Sequence, residues 1–139
     1  MARSPATPAQ SLVLFAKNKK RVSAFYRRTL GLQAAEQESM HDLLVGPGVE
    51  LVIHAIPRKY AADIAISRPP RLREDTPMKP VFVVPDLEAA RAAAKAGGGG
   101  LKPAEAAWAF RGHTVLDGWD PEGNVLQFRQ PLQRRAAKR

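Results

Sequence analysis

The sequence predicts an α+β fold in which one βαβββ unit occurs twice. A strand-like alternation of apolar residues, SLVLFAK from Ser11, is followed by apolar residues at helical spacing. The same order, a strand, a helix and three short strand segments, recurs from Lys79. One constant offset relates Ser11 to Lys79 and Asn18 to Asp86. Such self-similarity indicates a duplicated supersecondary unit, and neither copy would bury its open face alone.

The first repeat, residues 11–56, continues from its opening strand into an amphipathic helix. Asn18 suits an N-cap and Gly31 a C-cap, so the helix is expected between them. Apolar residues take one side of this helix and basic residues the remaining surface. Strand segments are then expected at residues 32–38, 41–45 and 49–56, with a GPG turn at residues 46–48.

The second repeat, residues 79–130, follows the same plan. After the strand KPVFVV, Asp86 is the expected N-cap of a helix over residues 87–96, which four glycines terminate. Strand segments are expected at residues 101–107, 113–119 and 124–130, with the turn DPEG at residues 120–123. Asp117 and Asp120 flank that turn, and capping or turn roles are expected for both.

Three further segments complete the predicted organisation. Residues 1–10 are expected to be a flexible N-terminus and residues 131–139 a disordered basic tail. Residues 57–78 contain four prolines, so they are expected to connect the repeats without a core element. This linker either only joins the repeats or also folds over a ligand cleft as a lid.

Composition excludes several function classes. The chain contains no cysteine, which rules out disulfides, thiolate nucleophiles and Cys-based metal sites. It has no apolar run long enough to cross a bilayer and no secretory-type apolar segment, so a cytoplasmic location is expected. The net charge is +9, but the basic residues fall on the first helix and the tail without interleaved aromatic residues. Specific nucleic-acid binding is therefore not favoured.

Two segments carry a family resemblance. VSAFYRRTLGLQ and HTVLDGWDPEGNVLQFRQ resemble the helix exit and the closing hairpin of the vicinal-oxygen-chelate superfamily, which includes glyoxalase I, bleomycin-resistance proteins and extradiol dioxygenases. The resemblance covers residues 11–130. It implies two curled mixed sheets around a cleft with the helices on the outer face. It also implies a homodimer, since members commonly dimerise, sometimes by exchanging halves.

Alternation along the first and last strand of each repeat separates a helix-covered face from a cleft face. The helix-covered face is entirely apolar and comprises Leu12, Leu14, Leu51, Ile53, Phe82, Val84, Leu126 and Phe128. The other face mixes apolar and polar residues, as ligand clefts do. The expected ligand-binding residues are Ser11, Val13, Phe15, Glu50, Val52, His54, Lys79, Val81, His113, Gln127 and Arg129.

The resemblance also places the family's metal ligands. Their positions are taken here by Ser11, Lys79, Val52 and Gln127. Valine and a protonated lysine have no lone pair to donate, and neutral Ser and Gln are weak ligands. His41 and His113 occupy matching third strands and either approach each other or the cleft, but two histidines make a poor site. No metal and no cofactor are therefore predicted.

The favoured function is metal-free binding of a small neutral or anionic organic molecule. The alternative is a metal-dependent lyase, isomerase or dioxygenase of the glyoxalase type. Two residues are candidates for catalysis without a metal: His54 as a general base, and Lys79 as a nucleophile if it loses its charge. For each of them, a polar residue in the wall of a wet cleft is the simpler interpretation.

Overall fold

The computed structural model describes residues 10–132. The predicted N-terminal segment and basic tail therefore lie almost entirely outside the described residues. The elements in chain order are β1 (Gln10–Ala16), α1 (Lys19–Leu30), β2 (Gln33–Gln37), β3 (His41–Gly46), β4 (Val49–Ala55), α2 (Arg58–Ala61), β5 (Val81–Val83), α3 (Leu87–Ala96), β6 (Gly100–Leu101), β7 (Trp108–Phe110), β8 (His113–Trp119) and β9 (Val125–Pro131). They confirm the α+β class.

The first repeat forms a four-stranded mixed sheet, called the N-terminal sheet. Its strand order is β1-β4-β3-β2, with β1 parallel to β4 and the other pairs antiparallel. The parallel pair requires a crossover, which α1 supplies. The alternation predicted for β1 and β4 is confirmed, because Leu51 and Ile53 are fully buried whereas Val13 and Phe15 are exposed.

The second repeat forms a five-stranded mixed sheet, called the C-terminal sheet. Its order is β5-β9-β8-β6, with β7 paired to β8 beside β6. The prediction of one continuous strand over residues 101–107 is wrong. The strand ends at Leu101 because Pro103 has no N–H for a ladder, and a 3₁₀ turn at Ala104–Ala106 then leads into the separate strand β7.

The helix boundaries agree with the predicted caps. Asn18 Oδ1 accepts a hydrogen bond from the Arg21 amide at 3.0 Å, and Asp86 Oδ1 accepts one from the Glu88 amide at 3.0 Å. Gly31 ends α1 with φ of 68°, the left-handed conformation in which glycine carries no Cβ penalty.

The two repeats share one hydrophobic core. The cluster contains residues of both long helices and helix-facing residues of both sheets, including Ile53 and Phe128. Tyr26 of α1 lies 6.1 Å from Phe82 of β5 between ring centroids, so the helix of the first repeat contacts the sheet of the second. The repeats are thus joined through their helix-covered faces.

The linker runs along the end of the molecule at which β1 ends and β9 begins. The Lys17 ammonium donates to the Ile64 carbonyl, and the Arg73 amide donates to the Gly123 carbonyl at 2.8 Å. These contacts place the linker beside the final turn. Whether it also acts as a lid stays a prediction.

Within residues 10–132, each helix is too short or too polar to cross a membrane.

Candidate functional site

The face of each sheet that the helices leave uncovered is called its open face. On the open face of the N-terminal sheet, Ser11 and Glu50 are strand neighbours, and the Ser11 hydroxyl donates to the Glu50 carboxylate at 3.1 Å. Val13 and Val52 form the next pair. Beyond them the Phe15 and His54 rings lie 5.4 Å apart between centroids. The predicted site residues of this sheet therefore form one row with a polar end and an aromatic end.

His54 is oriented by its own strand. Its Nδ1 lies 2.8 Å from the Ala55 carbonyl oxygen, which can only accept, so Nδ1 carries the proton. In the neutral ring, Nε2 then holds the lone pair that a general base requires. His41 is directly opposite His54 on β3, and its Nε2 lies 2.9 Å from a Glu36 carboxylate oxygen. His41 thus contacts Glu36 and neighbours His54 across the strand pair, whereas His113 of the other sheet contacts the Arg111 carbonyl.

The open face of the C-terminal sheet carries a connected polar network. The Lys79 ammonium donates to the Asp117 carboxylate at 2.7 Å, and the Gln127 amide lies 3.4 Å from the other Asp117 oxygen. The Arg129 Nε donates to the Gln127 amide oxygen at 2.9 Å, and the guanidinium lies 5.0 Å from the centroid of the Phe110 ring. Lys79, Gln127 and Arg129 were each predicted for this face, and the structure brings them together.

The expectation that Asp117 belongs to the final turn is wrong. Its carboxylate is buried on the open face and forms the ion pair with Lys79. Strand alternation carries the missing signal, because His113, Val115 and Asp117 of β8 must share one face. An ammonium that donates to a carboxylate has no lone pair with which to attack a substrate. The ion pair therefore weakens the nucleophile role considered for Lys79.

The predicted turn role of Asp120 is confirmed. Its side chain is fully buried, and it accepts hydrogen bonds from the Tyr26 hydroxyl at 2.8 Å, the Glu122 amide at 2.9 Å and both the amide and side chain of Asn124. Burial raises the pKa of Asp120, while the hydrogen bonds from Asn124 and Tyr26 act in the opposite direction. Burial also raises the pKa of Tyr26 well above its usual value, and the Asp120 charge adds to this effect.

The raised pKa of Tyr26 predicts a loss of stability at alkaline pH. The unfolded chain releases the tyrosine proton above about pH 10, whereas the folded chain retains it. Below that pH, the protonated Tyr26 makes its full contribution to the free energy of unfolding. This contribution is lost as the pH rises through the pKa of the folded state, at up to about 1.4 kcal/mol per pH unit. In urea unfolding measured between pH 9 and about 11, Tyr26→Phe should lose less stability with rising pH than the wild type.

Tyr60 provides the control for this measurement because its side chain is exposed. Tyr60→Phe should follow the wild-type pH dependence. Equal alkaline losses for Tyr26→Phe and the wild type would show that the Tyr26 proton does not distinguish the folded from the unfolded chain.

The open faces of the two sheets form two separate groups of predicted site residues. The hydrogen bonds and ring contacts described above join residues within each sheet, and among residues 10–132 none joins one open face to the other. Phe15 is 58% exposed and Val83 is 62% exposed. A single copy of the chain thus leaves part of each open face accessible to solvent.

Two cavities lie elsewhere, between the linker and the final turn. The larger, about 570 Å³, is lined by linker residues and Glu122, and the smaller, about 160 Å³, lies beside the start of α1. Both touch Glu122, whose carboxylate accepts hydrogen bonds from the Lys17 amide at 2.8 Å and the Asn18 amide at 2.7 Å. These cavities do not include the predicted ligand-binding residues of the sheets.

The residues that the resemblance places at metal positions do not fit a divalent ion. Within the described part of the chain, no three His, Asp or Glu side chains are grouped as metal ligands would be. The Ser11 hydroxyl donates to Glu50, the Lys79 ammonium is bound by Asp117, and Val52 has no donor atom.

No family model and no curated protein matches the sequence. Solved structures do match the fold. A glyoxalase/bleomycin resistance protein/dioxygenase family enzyme from Burkholderia phytofirmans PsJN is 19% identical with a TM-score of 0.63, over 91% of this chain and 100% of that chain. A glyoxalase/bleomycin resistance protein/dioxygenase from Alicyclobacillus acidocaldarius is 21% identical with a TM-score of 0.58, over 95% and 96% of the two chains.

A third structure is a mutant of the genomically encoded fosfomycin resistance protein FosX from Listeria monocytogenes, complexed with Mn(II) and 1S,2S-dihydroxypropylphosphonic acid. It is 14% identical with a TM-score of 0.61, over 92% of each chain. At these identities the likeness concerns the fold alone. The expected vicinal-oxygen-chelate fold is thereby confirmed.

Proposed function

We propose that this chain is a metal-free binding protein for a small neutral or anionic organic molecule, which lies against the open faces of the sheets. The observation that carries the proposal is the combination of Arg129 and Gln127 with exposed Phe110 and Trp108 on the C-terminal sheet. Ligand sites commonly pair apolar walls with a few oriented polar groups. The buried, hydrogen-bonded Gln127 supplies that orientation.

We propose further that the site is completed by a homodimer. Each sheet leaves apolar side chains exposed on its open face, including Phe15 on one and Val83 on the other, and such patches favour association. Val13 and Phe15 on the N-terminal sheet and Val81 and Val83 on the C-terminal sheet are all exposed, so the open faces of unlike sheets can bury apolar surface against each other. A two-fold dimer that pairs unlike sheets would form two equivalent clefts.

A metal-dependent lyase, isomerase or dioxygenase is the competing function. The fosfomycin resistance protein of similar fold was solved with Mn(II), so the fold accommodates an ion in that protein. Such an enzyme needs the metal to polarise an oxygen-bearing substrate. In this chain the side chains at Ser11, Val52 and Gln127 do not supply the ligands for that ion, which favours the binding function.

We propose a cytoplasmic location because a chain without cysteine forms no disulfides. The basic residues Arg27 and Arg28 at the end of α1 are exposed, and we propose that they serve as a solvated surface without a specific nucleic-acid or membrane partner.

The binding function is tested with purified full-length protein before and after chelator treatment. Metal content is measured by elemental analysis, and small organic acids and neutral organic molecules are screened by thermal shift and then by calorimetry. We expect at least one organic ligand to raise the melting temperature equally in both preparations. Stoichiometric Zn, Ni, Mn or Fe, with ligand binding lost on chelation, would favour the enzyme instead.

The dimer is tested by placing a charge on one open face. Phe15→Glu should weaken self-association at least about tenfold, because a buried carboxylate opposite an apolar surface is strongly disfavoured. The measurement is sedimentation equilibrium over a concentration series. Met78→Glu, at an exposed linker position, is the matched control and should associate as the wild type does. A wild type that is monomeric at every concentration contradicts the proposed dimer.

A further inference from the structure

Arg129 is a cation on the open face of the C-terminal sheet, and among residues 10–132 it forms no ion pair with a carboxylate. Lys79 is neutralised by Asp117 at 2.7 Å, so its charge is already satisfied. The Arg129 Nε donates to the neutral Gln127 amide, and within residues 10–132 its terminal nitrogens donate to no other group. An anionic ligand on this face is therefore expected to bind Arg129 in preference to Lys79.

The Arg129 guanidinium is held in place by two contacts. Its Nε is fixed by Gln127, which is itself buried and in contact with Asp117, and its planar group lies over the Phe110 ring. A guanidinium held in this way loses little freedom when it binds a carboxylate through two parallel hydrogen bonds. The network thus prepares one defined anion-binding group.

Two aromatic residues lie on the same face as this cation. Trp108 and Phe110 are two residues apart on β7 and so project from the same face. Trp108 pairs with Val115, and Val115 pairs with Arg129 on its other side, which places Trp108 and Arg129 on one row of the sheet. Val115 between them is fully buried, while Trp108 is 43% exposed and Phe110 is 45% exposed. The accessible apolar surface on this part of the sheet therefore comes from the Trp108 and Phe110 rings.

We infer that Arg129 binds the carboxylate of an aromatic acid whose ring packs against Trp108 and Phe110. This inference rests on the proposed binding function and narrows the ligand to one chemical class. Charge-assisted hydrogen bonds supply the preference for an acid over a neutral analogue, and the aromatic pair supplies affinity for both. Arg129 is accordingly the residue that determines specificity.

The test uses 2-naphthoate and, as its neutral counterpart of similar size, 2-naphthalenemethanol. Binding to the full chain is measured by calorimetry and by the change in tryptophan fluorescence. We expect the wild type to bind the acid at least about tenfold more tightly than the alcohol. Arg129→Gln should remove that preference, Arg129→Lys should retain part of it, and Trp108→Leu should weaken both ligands.

Arg27→Gln, an exposed substitution on α1, is the control for the loss of one positive charge and should bind as the wild type does. Circular dichroism checks that each variant is folded, and the wild-type comparison of acid with alcohol needs no variant. Equal affinity for acid and alcohol, or no naphthoate binding, overturns the inference. If Arg129→Gln dissociates the dimer and leaves the acid preference intact, Arg129 belongs to the interface and the inference is again overturned.

Failure of this inference is distinguishable from failure of the proposed function. A wild type that binds naphthalenemethanol or another neutral molecule without preferring the acid keeps the binding function and loses only the role of Arg129. A protein that binds none of the screened organic molecules loses both.

Discussion

Replacement of Asp120 with alanine is expected to lower the free energy of unfolding by at least about 3 kcal/mol, because each buried donor left without a partner costs about 1–3 kcal/mol. The fully buried Asp120 carboxylate accepts hydrogen bonds from Tyr26, Glu122 and Asn124. Alanine would leave the buried Tyr26 hydroxyl and Glu122 amide without an acceptor, would remove the hydrogen bonds of the half-buried Asn124, and would create a cavity as well. Equilibrium unfolding in urea measures the change.

The matched control is Asp86→Ala at the N-cap of α3. Asp86 also accepts a backbone hydrogen bond, but it is exposed, so water can replace its oxygen. Its loss should cost about 1 kcal/mol, as is usual for an N-cap. Similar costs for the two substitutions would mean that the buried network around Asp120 contributes no more than a surface cap.

Replacement of Gly123 with alanine is the second large effect expected. Gly123 has φ of 84°, and a Cβ there would overlap the carbonyl oxygen of Arg71 in the linker. The left-handed conformation costs about 1–2 kcal/mol for a residue with a Cβ. Displacement of the linker backbone adds about 1–3 kcal/mol, typical of overpacking. Unfolding free energies of the two proteins test this sum.

Gly48 lies in the turn before β4, as Gly123 lies in the turn before β9, and it provides an internal control. Its φ is 72°, but a Cβ there would have no neighbour within 4 Å. Gly48→Ala should therefore show the conformational cost alone, and Gly123→Ala should be clearly worse. Equal destabilisation at both positions would indicate that the linker is not packed against the final turn.

The local elements of this fold are largely encoded in short-range patterns. Asn18, Gly31 and Asp86 determine where the helices begin and end, since capping depends on a single side chain or a single backbone angle. The division into strands fails only between residues 101 and 110. There a chain interrupted by Pro103 forms two very short strands whose pairing depends on β8 and not on their own sequence.

The candidate site was predictable in part. Alternation correctly places Phe15, Gln127 and Arg129 on the open faces, and applied to β8 it would also have placed Asp117 there. Alternation identifies which residues share a face but not which faces meet. The contact of Tyr26 with Phe82, and the resulting separation of the two open faces, depend on the packing of the two helices in three dimensions.

The carboxylate of Glu122 accepts hydrogen bonds from the backbone amides of Lys17 and Asn18, which lie more than one hundred positions earlier in the chain. During synthesis these two amides can only bind water until the last hairpin has left the ribosome. The entry to the first helix is therefore completed late, after a long loop has been closed, and contacts of such large sequence separation are associated with slow folding.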